Sequence, residues 1–300
     1  MAWIKRGRIF EPARQATWIG THAALPVIDP AGQGCRVYFC SRDEQGRSQI
    51  GYGELALEEP LGIRHLSAGP VLRPGPLGAF DDAGVTTACL VRHEGRAFLY
   101  YTGWSLGRSV PFYLNVGLAV SDSDAGYRRL SSGPLLDRCS VDPYLTASPW
   151  VIVEAGQWRM WYVSGSAWEL VDGRPRHNYH IKYAESRDGC EWHRKGIICI
   201  DYGHDEFAFG RPCVIRDAAL GLYRMWYSVR GGAYRLGYAE SSDGVVWKRR
   251  DDCAGLQVSP DGWDSEMITY PVVFEHQDTL HMLYNGNGYG RTGIGLASLS

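Results

Sequence analysis

RMWYVSG at 159–165 and RMWYSVRG at 224–231 are two copies of one segment, an apolar-aromatic run ending in Tyr and followed by small polar residues. VYFC at 37–40, FLYYTG at 98–103 and HMLYNGNG at 281–288 have the same form. With Phe39, Tyr101, Tyr162, Tyr227 and Tyr284 taken as equivalent, the intervals are 62, 61, 65 and 57 residues, so the chain carries five copies of one unit. Around each copy the order repeats. An apolar strand (ALPVID, TACLVR, SPWVIVE, RPCVIRD, YPVVFE) and a short polar turn come before it, and a third strand such as VGLAVSDS or LGYAESSDG comes after it. In units 3 and 4 an Asp-Gly turn leads into Trp192 and Trp247 of a fourth strand.

Four antiparallel strands repeated five times predict an all-β fold, one five-bladed β-propeller spanning 1–300. The fifth unit ends at its third strand, GIGLASLS, while WIKRGRI at 3–9 stands alone before unit 1. The N-terminal strand is therefore expected to complete the last blade.

Composition narrows the function. With 31 basic against 33 acidic side chains, a net charge of −2 gives no electrostatic reason for a nucleic-acid or anionic-membrane partner. No run approaches the roughly 18 to 20 apolar residues of a membrane span, and the opening residues have no apolar core of a signal peptide. A cytoplasmic location is expected. The eight cysteines show no CxxC or Cys/His ligand spacing and read as buried thiols. No cofactor is expected, and no ligand cluster specific for a metal is found.

In a propeller, the loops entering the first strands and those joining second to third strands converge on one face. Aligning the units on Pro26, Cys89, Pro149, Pro212 and Pro271 places an Asp seven residues earlier in four of them, Asp82, Asp142, Asp205 and Asp264. Such repetition points to loop-capping acceptors. Residues unique to one blade are better site candidates: Glu206, Glu266, Arg211, Tyr270 and His22, with Glu266 sharing strand parity with Tyr270. Arg42, Arg47, Arg108, Arg211, Arg230, Arg235 and Arg291 fall on the same face among Asp43, Glu169, Glu206 and Glu266. They either salt-bridge one another or leave two or three guanidinium groups to clamp a ligand anion. Trp104, Trp168 and Tyr289 offer flat faces for a sugar ring, and His177 is read as a strand residue with no role.

The order of first strand, loop and YYTG or WYSV, with the GYAESSDGVVW third hairpin, resembles the five-bladed superfamily that includes glycoside hydrolase families 32, 43 and 130. The turns ESRDGCEW and ESSDGVVW resemble the Asp-box of sialidases, where a structural role is expected. The resemblance implies a carbohydrate-active enzyme, and some relatives hold Ca²⁺ in the channel. Family 43 enzymes place an Asp before the first-strand Pro in early blades and a Glu near that position in blade 3. Here those positions read Ala24-Leu25, Thr87-Ala88 and Ala147-Ser148, none acidic, and the family 32 Asn-Asp-Pro and Arg-Asp-Pro signatures are missing.

The expectation is an enzyme breaking or rearranging a bond in an anionic or nucleotide-linked small-molecule sugar. Glu266 is its general acid/base, Glu206 or Asp264 the partner carboxylate, Arg42 and Arg211 the anion clamp. Asp43, His22, Tyr270, Trp104, Trp168, Asn287, Tyr289 and Arg230 complete the substrate-binding set. Two competitors stand beside it: a glycoside phosphorylase with phosphate on the arginines, and a sugar-binding propeller that is non-catalytic or recruited to non-hydrolytic chemistry.

Overall fold

A computed structural model describes residues 2–13, 15–29, 35–122 and 126–300. Strand β1 (Trp3–Phe10) precedes five units. The first holds β2 (Ala24–Asp29), β3 (Cys35–Arg42), β4 (Ser48–Ala56) and β5 (Gly62–Arg64), and the second β6 (Gly84–His93), β7 (Arg96–Leu106), β8 (Phe112–Ser121) and β9 (Arg128–Arg129). The third holds β10 (Thr146–Glu154), β11 (Gln157–Val171), β12 (Arg174–Ser186) and β13 (Trp192–Ile198). In the fourth are β14 (Ala208–Asp217), β15 (Leu222–Arg230), β16 (Tyr234–Ser241) and β17 (Lys248–Arg249). The fifth ends with β18 (Thr269–His276), β19 (Thr279–Asn285) and β20 (Ile294–Leu299).

Each unit is an antiparallel blade, and the innermost strands neighbour one another in the cyclic order β2, β6, β10, β14, β18 and back to β2. The protein is a five-bladed propeller. Its ring is closed as the sequence implies: β1 lies antiparallel to β20, from Trp3 opposite Leu299 to Phe10 opposite Ile294, and supplies the fourth strand of blade 5. That pairing leaves no long bare edge on the last blade.

The local chemistry of the repeat explains the blade. The inner hairpins turn at Glu94-Gly95 and Ala155-Gly156, where both residues have positive φ, the turn whose twist matches paired strands. Third-strand glycines let the second-strand ring lie flat on the sheet: a Cβ on Gly117 would sit 2.3 Å from the Tyr101 ring, and one on Gly237 2.4 Å from Tyr227. Large aromatics fill the gaps between blades, as where Trp158 meets Phe98 at 5.0 Å between ring centres and Trp3 meets Trp226 at 6.0 Å. The Asp-Gly turns are structural. Asp188 accepts from the backbone N–H of Cys190 and Glu191, Asp243 does the same for Val245 and Val246, and both lie away from the axis.

One register differs from the sequence alignment. Cys89 pairs with Tyr100 as Val27 does with Tyr38 and Cys213 with Trp226, so the equivalent of Pro26 in blade 2 is Ala88. Seven residues before Ala88 stands Asp81, not Asp82.

Candidate functional site

The blade acids come first, because they account for two of the three expected catalytic residues. Asp81 accepts from Tyr101 Oη at 3.0 Å and pairs with Arg129 at 2.8 Å. Asp142 does the same with Tyr162 at 3.0 Å and Arg194 at 2.8 Å, and Asp264 with Tyr284 at 3.1 Å and Lys5 at 2.6 Å. In blade 4 Tyr227 donates to Asp251 at 2.7 Å, and Arg249 bridges Asp251 to Glu206 at 2.7 Å, while Asp205 is exposed beside His204. A buried phenol, a carboxylate and an outer-strand cation thus tie each of these four blades together. Asp264 and Glu206 are consumed by these ties. Hydrogen bonds from Arg249 and the Gly203 N–H hold the Glu206 carboxyl below its ordinary range despite partial burial. Glu266, the third, is exposed, with its backbone N–H on Asn287 Oδ1 at 2.8 Å and its carbonyl accepting from Arg235. None of the three acids lines the axial cavity.

That cavity, about 370 Å³, opens at the loop-bearing end of the axis. A bulge in the innermost strands builds its floor. Leu25, Ser148, Arg211 and Tyr270 each precede a Pro and have φ of 53°, 44°, 51° and 58°, a conformation costly for residues with a side chain. The bulge breaks strand alternation and turns all four side chains into the cavity. The bulge is pinned from the neighbouring blade: Ser148 N donates to Thr102 Oγ1 at 2.9 Å, Tyr270 N to Ser228 Oγ at 2.9 Å, and Leu25 N to Asn285 Oδ1 at 2.8 Å. These ring positions carry Leu, Thr, Ser, Arg and Tyr, with no acid among them.

Arg211 is fully buried. Its guanidinium crosses the axis to donate to the carbonyls of Thr87 at 3.0 Å and Pro26 at 2.5 Å, and its buried Nε has no partner among the described residues. Burial lowers its pKa to about 10, so it stays charged at neutral pH. Its titratable neighbours Cys40, Cys89 and Cys213 are thiols that burial pushes up to about 11, 12 and 12, hence neutral. A buried charge without a counter-ion is expensive unless an anion arrives to balance it.

Three residues past the reference aromatic, equivalent second-strand positions add Arg42 in blade 1, Trp104 in blade 2 and Arg230 in blade 4. Arg42 and Arg230 likewise form no ion pair among the described residues, whereas Arg47 pairs with Asp43 at 3.0 Å and Arg176 with Glu169 at 2.8 Å. Salt-bridging across the blade tops is therefore right for some of the basic residues and not for the three that line the cavity.

The cavity is two-sided. Blades 4, 5 and 1 supply Arg230, Tyr234, Tyr270, Tyr289, His22 and Arg42; blades 2 and 3 supply Trp104, Phe112, Leu114, Leu145, Val163 and His177. Trp104 packs on Phe112 at 5.0 Å, and His177 lies parallel to Tyr179 at 5.0 Å. Trp168 supports this wall from behind, 5.4 Å from Phe112 and 5.3 Å from His177, without lining the cavity. Asn287 and Asp43 also stand outside it, the one pinning the loop at Glu266 and Met267, the other capping Gln45 and Arg47. His177, read from the sequence as a strand residue with no role, lines the cavity, as do Tyr179, Tyr234, Thr86 and Thr102, which sequence reasoning does not single out. No Asp or Glu lines it among the described residues. Both imidazoles are held neutral: burial, then Arg42 and Arg291, lowers His22 to about 4, and burial, then Arg230, lowers His177 to about 4. Among the described residues no group of three or more His, Cys, Asp or Glu is placed to hold a metal ion.

No protein-family model matches the chain. A glycoside hydrolase of known structure superposes with a TM-score of 0.76 at 18% identity, covering 98% of this chain and 90% of that one. A thermostable family-43 glycoside hydrolase gives 0.68 at 17% identity, over 93% of this chain and 88% of that one. A Bombyx mori GH32 beta-fructofuranosidase in complex with sucrose gives 0.65 at 12%, over 93% of this chain and 61% of that one. The fold is thus that of the family 32 and 43 glycoside hydrolase propellers. In sequence, the chain is 46% identical over 302 residues to the uncharacterized protein MT1551 of Mycobacterium tuberculosis, covering 100% of this chain and 99% of that protein. Matched end to end at that identity, the chain belongs to the family of MT1551, and the fold of the family 32 and 43 propellers is the fold of this member.

Proposed function

We propose that the protein is a carbohydrate-active propeller that takes an anionic sugar into its axial cavity and acts on it without a pair of carboxylates. The observation that carries this reading is the cavity's charge: Arg42, Arg211 and Arg230 line it with no carboxylate partner, and no Asp or Glu lines it among the described residues. Hydrolysis of a glycosidic bond ordinarily needs two carboxyl groups about 5 to 9.5 Å apart across it. Glu266, Glu206 and Asp264 do not line the cavity, so this reading does not use them as catalytic residues. A saccharide is supported by the neighbours, which are glycoside hydrolases and include one bound to sucrose, and by the flat Trp104 and Phe112 faces opposite the cations. A volume near 370 Å³ is at the small end of ligand sites and suits one or two sugar rings. Eight cysteines without a disulfide fit a reducing, cytoplasmic compartment.

Calorimetry with a sugar acid or sugar phosphate and its neutral parent tests this reading. The anionic member should bind at least tenfold tighter, and Arg42→Met with Arg230→Met should erase the difference, since each charge-assisted bond contributes about 1.5–3 kcal/mol. Equal affinity for charged and neutral sugars contradicts it.

A further inference from the structure

One way of breaking a sugar C–O bond needs no carboxylate pair. In a uronate, a hexose whose C6 is a carboxylate, the C5 proton is α to that carboxylate and the C4–O bond is β to it. When cations neutralise the carboxylate, a base can remove the C5 proton. The freed electron pair forms C4=C5, and O4 leaves with the electrons of the C4–O bond and takes up a proton. No water is consumed, and no oxidant, reductant or co-reactant is needed. The requirements are a cation for the carboxylate, an uncharged base and a proton donor, all in one cavity.

The wall formed by blades 3 and 4 holds these groups together. His177 and Tyr179 lie on β12 with their rings parallel at 5.0 Å. Tyr179 and Tyr234 are joined hydroxyl to hydroxyl, and the Arg230 guanidinium lies 5.3 Å from the Tyr234 ring centre. Arg211 lies on the floor of the same cavity, its guanidinium held by the carbonyls of Thr87 and Pro26. We propose that this wall is the site of a β-elimination on a uronate-containing saccharide: Arg230 and Arg211 take the carboxylate, His177 removes the C5 proton, and Tyr234 protonates the departing O4. This rests on the reading that the cavity takes an anionic sugar, and it names the sugar class and the reaction.

The protonation states agree. His177, held down by burial and Arg230, is unprotonated at neutral pH, and a carboxylate docked on Arg230 offsets the second of those causes and makes the imidazole more basic. Burial pushes the Tyr234 phenol up, while the bond from Tyr179 and the charge of Arg230 pull it back. Tyr234 thus keeps its proton at neutral pH, as a proton donor must.

Purified protein incubated with oligosaccharides of galacturonate, of mannuronate and of alternating glucuronate should convert at least one of them to a product with the ultraviolet absorbance of a C4=C5 unsaturated uronate. The fragment masses should sum to that of the substrate with no water gained. Tyr234→Phe and His177→Gln should each slow this by about a hundredfold or more, while calorimetric binding of the same oligosaccharide stays within a few-fold of the parent. Fragments carrying the mass of an added water, or an oligouronate that binds and is never converted, overturn the elimination and leave the anionic-sugar reading standing. If none of the three oligouronates binds but a sugar phosphate does, the elimination fails alone; if no anionic sugar binds at all, both fall.

Discussion

Arg211 on blade 4 donates to the carbonyl oxygen of Thr87 on blade 2 at 3.0 Å, across the propeller axis, and no carboxylate among the described residues meets its charge. The side chain that ties the inner strands together is also the deepest cation of the cavity.

Arg211→Lys separates the two roles. Lysine keeps a charge but loses the planar fork, and at a fully buried position it readily gives up its proton. At least one cross-axis bond is lost, so stability should fall by about 1.5–3 kcal/mol, and affinity for an anionic sugar should fall by tenfold or more. Chemical denaturation and calorimetry read the two effects. Unchanged anion affinity would make Arg211 a structural tie only.

Asp264 is held at 2.6 Å by Lys5 of the closing strand, with 2% of its side chain exposed. Lys5→Met leaves that carboxylate buried and unpaired except for Tyr284, which should cost about 3 kcal/mol, the low end for a broken buried pair because Lys5 is itself a quarter exposed. The melting temperature should fall by several degrees while ligand affinity is kept. An unchanged melting curve would mean that β1 closes blade 5 without this ion pair contributing.

Glu266→Gln should leave both turnover and ligand binding at the parent level, because the side chain is exposed and stands outside the cavity. A hundredfold loss of turnover with binding intact would restore Glu266 as the proton-transferring group.

Stability should depend on pH through His22 and His177. Both have folded values of about 4, below the 6.5 of an unfolded imidazole, so on acidification the unfolded chain takes up protons first. The contribution is fully present above pH 6.5 and is lost as pH falls towards 4. Melting temperatures measured across this window should drop, and the drop should be shallower in the His22→Gln, His177→Gln double variant. Identical slopes would place the acid sensitivity elsewhere.

The fold is legible in the sequence because each blade repeats one aromatic strand, and the lone WIKRGRI segment has one vacant place to fill. The blade 2 register slips by one because Ala88 stands where the other blades have Pro, which puts Asp82 in the place of Asp81. In the site, Arg42, Arg211, Arg230, His22, Trp104, Tyr270 and Tyr289 can be found from their loops and strand ends. Glu266 is misplaced because strand parity does not extend to residues before Thr269, where β18 has not begun, or across a bulge that breaks alternation. His177 and Tyr179 are hidden because the β11–β12 hairpin is 15 and 13 residues long and brings mid-strand side chains to the cavity wall, which no loop boundary marks.

The most direct measurement is a crystal structure with a bound uronate disaccharide. The account predicts its carboxylate within about 3 Å of Arg211 or Arg230, its ring on the Trp104 side, and no Asp or Glu within hydrogen-bond reach of the glycosidic oxygen. A carboxylate side chain at that oxygen, with the sugar's anionic group turned away from the arginines, would contradict it.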